Sequence, residues 1–403
     1  MRVLFATWAE PGHLYPLVQL AWACQAAGHQ VRFATPPACA PAVARAGLIG
    51  MPVGQDVAVA QIRGRADLAP WRSFGRWPAG WASRPDLLDD GHRTVLAALA
   101  DKQFTVADAM ADDLIAFGRA WQPDVVVHDS LTFAGPLVAA VLGVPAVGHS
   151  WGSATVIRIE TDGLGSELRP GYRELFERHG ADPERGPLGW FDPCPPSLRL
   201  PDPTPRRRIP VRHVPYNGPG LLPRWLHTEP GRPRVCVTAG VAGGKIDPDR
   251  LPDVLTRALA ALTALDVEVV LAVGAAQAGR LGGLPDGVRV AESLPMTALL
   301  PTCAAVVHHG GFGTGLTAAA HGVPQLVLPQ MPISAEIGER LAHVGAGLLP
   351  APDEQHDPAV IGAAVAALLD EPRHRKAAAA LREEMLAEPT PAERVAVLVD
   401  AVS

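Results

Sequence analysis

Beyond Trp225 the chain is nearly without aromatic side chains. Phe312 is the single exception, and all nine tryptophans and all three tyrosines lie at or before Trp225. The second half therefore has little with which to grip a large flat ligand, and the two halves do different jobs. Cysteine is also scarce. Cys24, Cys39, Cys194, Cys236 and Cys303 are scattered, odd in number and without a CxxC pair. That pattern argues for a reducing compartment and against structural zinc. No uninterrupted apolar run is long enough to span a bilayer, and Arg2 followed by Val3–Ala6 reads as a buried strand rather than a signal peptide. A cytoplasmic protein is expected. Charge of one sign is not in excess: the formal net charge is -6, with 19% charged residues. Neither nucleic acid nor an anionic membrane is an expected partner. The one basic run, Arg206-Arg207-Arg208, sits among prolines and reads as a solvated linker face.

What is present is an alternation. The 403 residues, 48% hydrophobic, allow two or three domains at roughly 150 residues each. Strands are predicted at Arg2–Thr7, Gln30–Thr35, Asp124–His128 and Val144–Gly148. Helices are predicted at His13–Ala27, Ala38–Ala46 and Phe133–Leu142, with glycines at their ends. Prolines crowd 182–223 and make that stretch extended. The alternation then restarts with strands at Arg234–Thr238, Val267–Val273, Val288–Glu292, Ala304–His308 and Gln325–Pro329. Helices are read at Leu251–Ala264, Gly313–His321 and Ala335–Val344, with two or three more to the end. Apolar strands separated by helices form parallel sheets covered on both faces. The expected fold is α/β: two doubly wound, Rossmann-like domains whose sheets face each other across a cleft. The first domain is placed at 1–215, a linker at 216–232, the second domain at 233–385, and 386–403 as a helix packing back on the first.

Three motifs carry chemistry. In His308-His309-Gly310-Gly311-Phe312-Gly313-Thr314 a strand end meets a helix start through glycines. Glycines let the backbone approach an anion, and the helix N-terminus supplies unpaired N–H groups and partial positive charge. His309 and the Thr314 hydroxyl add donors suited to a diphosphate. The loop is not GxGxxG, because Leu316 holds the third glycine position. Gly244-Lys245 is no P-loop, because Ile246 follows it. The second motif, Gly12-His13, opens the first long helix, where a histidine of ordinary pKa about 6.5 suits a general base. Alone, it reads equally as an ordinary helix-start residue. The third, Val125-Val126-Val127-His128-Asp129, ends a neighbouring strand. Asp129 could orient His13 and stabilise its imidazolium, or it or Ser130 could simply cap the next helix. Trp8, Trp71, Phe74, Trp77, Trp81 and Trp151 are candidates for an acceptor surface. Core filling is the alternative, with the Trp71, Trp77 and Trp81 group balanced between a lid and core.

Taken in order, these motifs resemble the GT-B nucleotide-sugar glycosyltransferases, in particular the bacterial branch that decorates antibiotics. The resemblance covers nearly the whole chain. It extends to Gly12-His13-Leu14-Tyr15-Pro16, Pro215-Tyr216-Asn217-Gly218, the run from Leu299 to Val307, and the run from Gly322 to Gln330. The resemblance implies an acceptor domain followed by a nucleotide-sugar domain, and inversion at the anomeric carbon with no metal and no cofactor. His13 would be the base and Asp129 its orienting partner. His309, Gly310, Gly311, Phe312, Gly313 and Thr314 would meet the leaving diphosphate, bordered by Thr238 and Gly240. Gly12, Gln330, Ile333 and Ser334 would line the sugar, and Glu10 would join the tryptophans at the acceptor.

Two departures refine the expectation. Many relatives carry an Asp-Gln pair where this chain has Ile333-Ser334, so a fully hydroxylated sugar loses its partners. A deoxysugar donor is predicted, carried on TDP, with UDP as the other option. Glu336 could face a sugar amino group or be a first-turn helix acid. Relatives often have tryptophan at Ser293, so the base would rest on backbone around Ser293 and Leu294. The expected partners are a nucleotide-sugar donor and a hydrophobic small-molecule acceptor, with a homodimer compatible. A nucleotide-sugar epimerase on the same fold, or a non-catalytic auxiliary relative, are the competing readings.

Overall fold

A computed structural model describes residues 1–8, 10–58, 66–72, 75, 77–152, 158–201, 207–240 and 251–403. Phe74, Arg206 and the Gly244-Lys245 pair lie outside the described residues. The strands are β1 (Arg2–Ala6), β2 (Gln30–Thr35), β3 (Gly50–Pro52), β4 (Val125–Asp129), β5 (Ala146–His149), β6 (Trp190–Asp192), β7 (Arg208–Pro210), β8 (Arg234–Thr238), β9 (Glu268–Val273), β10 (Arg289–Glu292), β11 (Ala305–His308), β12 (Gln325–Val327) and β13 (Gly347–Leu348). They form two sheets, ordered β3-β2-β1-β4-β5-β6-β7 and β10-β9-β8-β11-β12-β13. Every pairing between these strands is parallel. The central strands are buried on both faces, as their unbroken apolar runs require.

The order of connection reverses between β1 and β4 in the first sheet, and between β8 and β11 in the second. Open parallel sheets bind ligands at such switch points, beyond the carboxyl ends of the strands. Residues following β1, β4, β8 and β11 therefore hold the favoured positions.

Among the helices are α1 (Pro11–Ala26), α2 (Asp90–Trp121), α3 (Ala134–Leu142), α4 (Phe312–Ala320), α5 (Pro332–His343), α6 (Pro372–Ala387) and α7 (Pro391–Val402). The segment 182–223 is less uniform than its prolines suggest, because β6 and β7 emerge from it as short strands. Pro210 closes β7, the edge strand, where a missing donor does least harm. The 32-residue α2 was not in the sequence reading. Its start carries a clear signal: the Asp89 side chain accepts from the His92 N–H and the His92 ring returns a contact to Asp89 N.

One apolar cluster runs through both domains and joins Trp8, Leu96 and Phe133 to Phe312, Leu316 and Ile337. The chain end also crosses over. Val395 and Leu398 of α7 lie in the first domain's core with Phe5, Leu14, Leu17 and Val18. Polar contacts hold the crossing. Arg394 Nε donates to Pro210 O at 2.6 Å, Arg212 Nε to Glu388 O at 3.0 Å, and Ser197 N to Glu384 Oε1 at 2.7 Å. Leu398 is fully buried, so Leu398→Ala should lower stability by about 2–5 kcal/mol. Urea unfolding checks this through the tryptophans, eight of the nine of which lie in the first domain. An unchanged tryptophan-monitored midpoint would show that α7 is not part of that core.

Candidate active site

On the first-domain side, the chain leaves β1, turns, and enters α1 at Pro11, where the missing N–H of proline does no harm. His13 is in the first turn, its N–H donated to Glu10 O at 2.9 Å. Its ring Nδ1 sits 2.9 Å from Asp129 Oδ1. Asp129 ends β4 and is 1% exposed, against 15% for His13. The other carboxylate oxygen accepts from Leu131 N at 3.0 Å and Thr132 Oγ1 at 3.2 Å. Both oxygens are thus occupied and the carboxylate is fixed in direction. It caps no helix: α3 begins after Phe133 without a side-chain cap. With Asp129 as acceptor, the His13 proton sits on Nδ1 and the lone pair on Nε2. The ring lies between Trp8 and Trp151, with centroids at 5.0 and 5.5 Å.

On the second-domain side, β8 and β11 end together, with Thr238 opposite His308. The Thr238 hydroxyl donates to Ala272 O at 2.9 Å and accepts from Gly240 N at 3.0 Å, which folds the turn back on itself. Gly240 has φ of 64°, and a Cβ there would strike the His309 ring at 2.5 Å. Burial pushes His309 down to about 4, opposed by a Thr238 backbone contact, so the ring is neutral at pH 7. Its Nδ1 has no hydrogen-bond partner among the described residues. Helix α4 starts at Phe312 with Gly311 as an N-cap that offers no side chain. Its first closing bond is Gly315 N to Gly311 O. The N–H groups of Gly311, Phe312, Gly313 and Thr314 therefore have no partner within the helix, which is the arrangement that attracts an anion.

The two halves meet directly. Trp151, just beyond β5, packs edge-on against Phe312 with centroids 5.5 Å apart. Gly152 leaves the space that Leu316 fills. Asn217, in the connection between the domains, accepts from Thr297 N at 3.1 Å and reaches Thr317 Oγ1 at 3.4 Å.

The remaining sequence candidates fall in several places. Gly12 is exposed at the start of α1, with Glu10 beside it. Ser293 holds a left-handed φ of 48° and accepts from Ala275 N at 3.0 Å, while Leu294 is buried. Gln330 folds its amide onto its own backbone, at Leu328 O and Pro329 O. Ile333 and Ser334 are buried in the first turn of α5, with Ser334 lying directly under Gly310. Trp71, Trp77 and Trp81 form one cluster with centroids 4.9–5.7 Å apart. Trp77 and Trp81 are buried in the core, so packing rather than an open wall accounts for them. Of the two rings at His13, Trp8 is buried in that same core, and Trp151 is only partly buried. His308, which opens the motif, and Gln325 were given no role by the sequence, and both lie beneath the glycine loop. The adjacent histidines were the available signal.

Among the described residues, no helix is long and apolar enough to cross a membrane. Comparison with known proteins gives a consistent result. Residues 22–240 match the family model described as erythromycin biosynthesis protein CIII-like, N-terminal domain, and residues 256–401 match its C-terminal domain. The chain is 36% identical to the 3-alpha-mycarosylerythronolide B desosaminyl transferase of Saccharopolyspora erythraea, over 98% of this chain and 97% of that protein. It is 38% identical to the tylactone mycaminosyltransferase of Streptomyces fradiae, over 97% and 90%. Among solved structures, spinosyn rhamnosyltransferase SpnG complexed with thymidine diphosphate superposes with a TM-score of 0.81 at 31% identity, covering 99% of this chain and 100% of that one. The glycosyltransferase VinC in complex with dTDP gives 0.80 at 32% identity, covering 100% and 99%.

The buried histidines set a pH dependence. Burial holds His149 at about 4 and His308 at about 3 in the folded chain, against about 6.5 when unfolded. Between those values the unfolded chain binds protons that the folded chain refuses. Stability present above pH 6.5 is therefore lost as the pH falls toward 4. Asp192 and Glu339, raised by burial, offset part of this. The urea midpoint should be lower at pH 5 than at pH 7. An equal or higher midpoint at pH 5 would contradict the assignment.

Proposed function

We propose that this chain, which belongs to the erythromycin biosynthesis protein CIII-like family and is a glycosyltransferase of the GT-B type, moves a deoxysugar from TDP to a hydroxyl of a hydrophobic, polyketide-like acceptor. The observation that carries the mechanism is the His13–Asp129 pair at 2.9 Å, facing the N-terminus of α4 across the Trp151–Phe312 contact.

In this reading the acceptor O–H gives its proton to His13 Nε2 as its oxygen bonds to the anomeric carbon. The bond from that carbon to the β-phosphate oxygen breaks, and its electron pair leaves on the diphosphate. Asp129, held by Leu131 and Thr132, keeps the imidazolium oriented and charge-balanced. The departing charge meets the free N–H groups of Gly311, Phe312, Gly313 and Thr314, with the Thr314 hydroxyl and His309 adding donors. His309 is neutral at working pH, so its one N–H must leave the Thr238 backbone to reach the departing diphosphate. The step is a single displacement with inversion, and it assigns no role to a metal. His13 then releases its proton to solvent.

The donor assignment draws on two supports. The apolar Ile333 and the short Ser334 present few partners to a fully hydroxylated sugar. The relatives named above include a desosaminyl and a mycaminosyl transferase, and the neighbouring structures hold thymidine diphosphate. Thr238, Gly240, Ser293 and Leu294 would border the nucleotide. Gly12 and Gln330 would border the sugar, with Glu10 and Trp151 at the acceptor and Trp8 packing behind His13. The setting proposed is cytoplasmic.

Two substitutions separate the roles. His13→Ala should lower kcat about 10²–10⁴-fold with TDP affinity by calorimetry within about twofold of the parent, since the base does not touch the diphosphate. His309→Ala should weaken TDP binding itself. A His13→Ala enzyme that turns over at the parent rate would remove His13 from the mechanism.

A further inference from the structure

His308 takes no part in the transfer described above, yet it lies at the carboxyl end of a central strand and is completely buried. Its surroundings fix its tautomer. Gly310 N donates to His308 Nδ1 at 3.2 Å, so Nδ1 carries the lone pair and Nε2 the proton. That proton points to Gln325 Oε1 at 2.9 Å, and Gln325 Nε2 in turn donates to Gly315 O at 3.0 Å. Three hydrogen bonds thus run from the glycine loop, beneath it, into the second turn of α4. Gln325 comes from β12, brought alongside because Val306 pairs with Gln325 in the sheet.

The chain of bonds has a definite geometric effect. It turns the Gly310 N–H inward, while Gly310 holds φ of 84° with Ser334 packed where a Cβ would stand. The N–H groups of the next four residues are then the ones left outward. Gln325 is suited to the central position because an amide accepts on one side and donates on the other. Buried polar chains of this kind fix one arrangement when every member is satisfied and are costly when one is not. Burial holds His308 at about 3, so the Nδ1 acceptor survives throughout the working range.

We propose that His308 and Gln325 are positioning residues for the donor site, presetting the glycine-rich loop so that the N-terminus of α4 meets the nucleoside diphosphate without rearrangement. This rests on the diphosphate assignment made under the proposed function. Gly310 contributes conformation rather than a hydrogen bond to phosphate.

The test is Gln325→Glu, which keeps the shape and removes the donor to Gly315 O while its carboxyl is ionised. TDP affinity measured by calorimetry should be about 10- to 100-fold weaker than in the parent at pH 8. It should recover toward the parent value at pH 5, because full burial raises a glutamate's pKa above its ordinary value of about 4.3, and a protonated carboxyl again donates to Gly315 O. The comparison with the parent at each pH cancels the titration of TDP itself. His309, the neighbouring titratable ring on the loop, stays neutral across that range. Should Gln325→Glu fail to fold at pH 8, His308→Asn serves instead: its shorter amide can face Gly310 but cannot span to Gln325. It should weaken TDP binding while acceptor KM is unchanged. Variants that fold and bind TDP as the parent does, at both pH values, would overturn the inference alone. A parent protein that binds neither TDP nor UDP would overturn the diphosphate assignment, and the inference with it.

Discussion

The chemistry assigned to this molecule depends on the close packing of Trp151 and Gly152 against Phe312 and Leu316. Each sheet alone offers half a site. The first presents an oriented imidazole and the second an anion-seeking helix start, and neither transfers a sugar without the other. The aromatic contact sets their separation. It is also continuous with an apolar cluster that runs through both domains, so the spacing is carried by core packing rather than by surface charge. The crossing of α7 onto α1 adds a second tie far from the cleft.

Within that frame the site is held by neutral polar groups as much as by charge. Asp129 is the buried anion, and each of its oxygens has a partner. His308 and His309 are kept uncharged by burial and act through hydrogen-bond direction and shape. In the proposed transfer, the leaving diphosphate would meet dipoles already aimed at it. Such preorganised donors are worth more in a water-poor cleft than mobile side chains, because nothing has to turn at the moment of reaction.

Much of this was legible in the sequence because the strands are buried on both faces and announce themselves as apolar runs. The ends of β1, β4, β8 and β11, and with them His13, Asp129, Thr238 and His309, could be placed by pattern and by the family resemblance. Other features were hidden for physical reasons. In α2 the buried Lys102 and Gln103 interrupt the apolar stripe that would have marked a helix. Strands β6 and β7 have three residues each and sit in proline-rich chain, where extended backbone and paired strand look alike. The two adjacent histidines could be seen as a pair. Which of them is hydrogen-bonded beneath the loop follows only from the pairing of β11 with β12. The tryptophans at 77 and 81 gave a composition signal that tertiary packing resolved toward core.

The central claim is that one displacement joins the two half-sites, with His13 on the acceptor side and the leaving diphosphate at α4. The measurement closest to that claim is the anomeric configuration of the product, read by NMR from a TDP-deoxysugar of known configuration. A single in-line step gives inversion. Retention would require a second displacement and an enzyme-bound glycosyl intermediate, and would contradict the account.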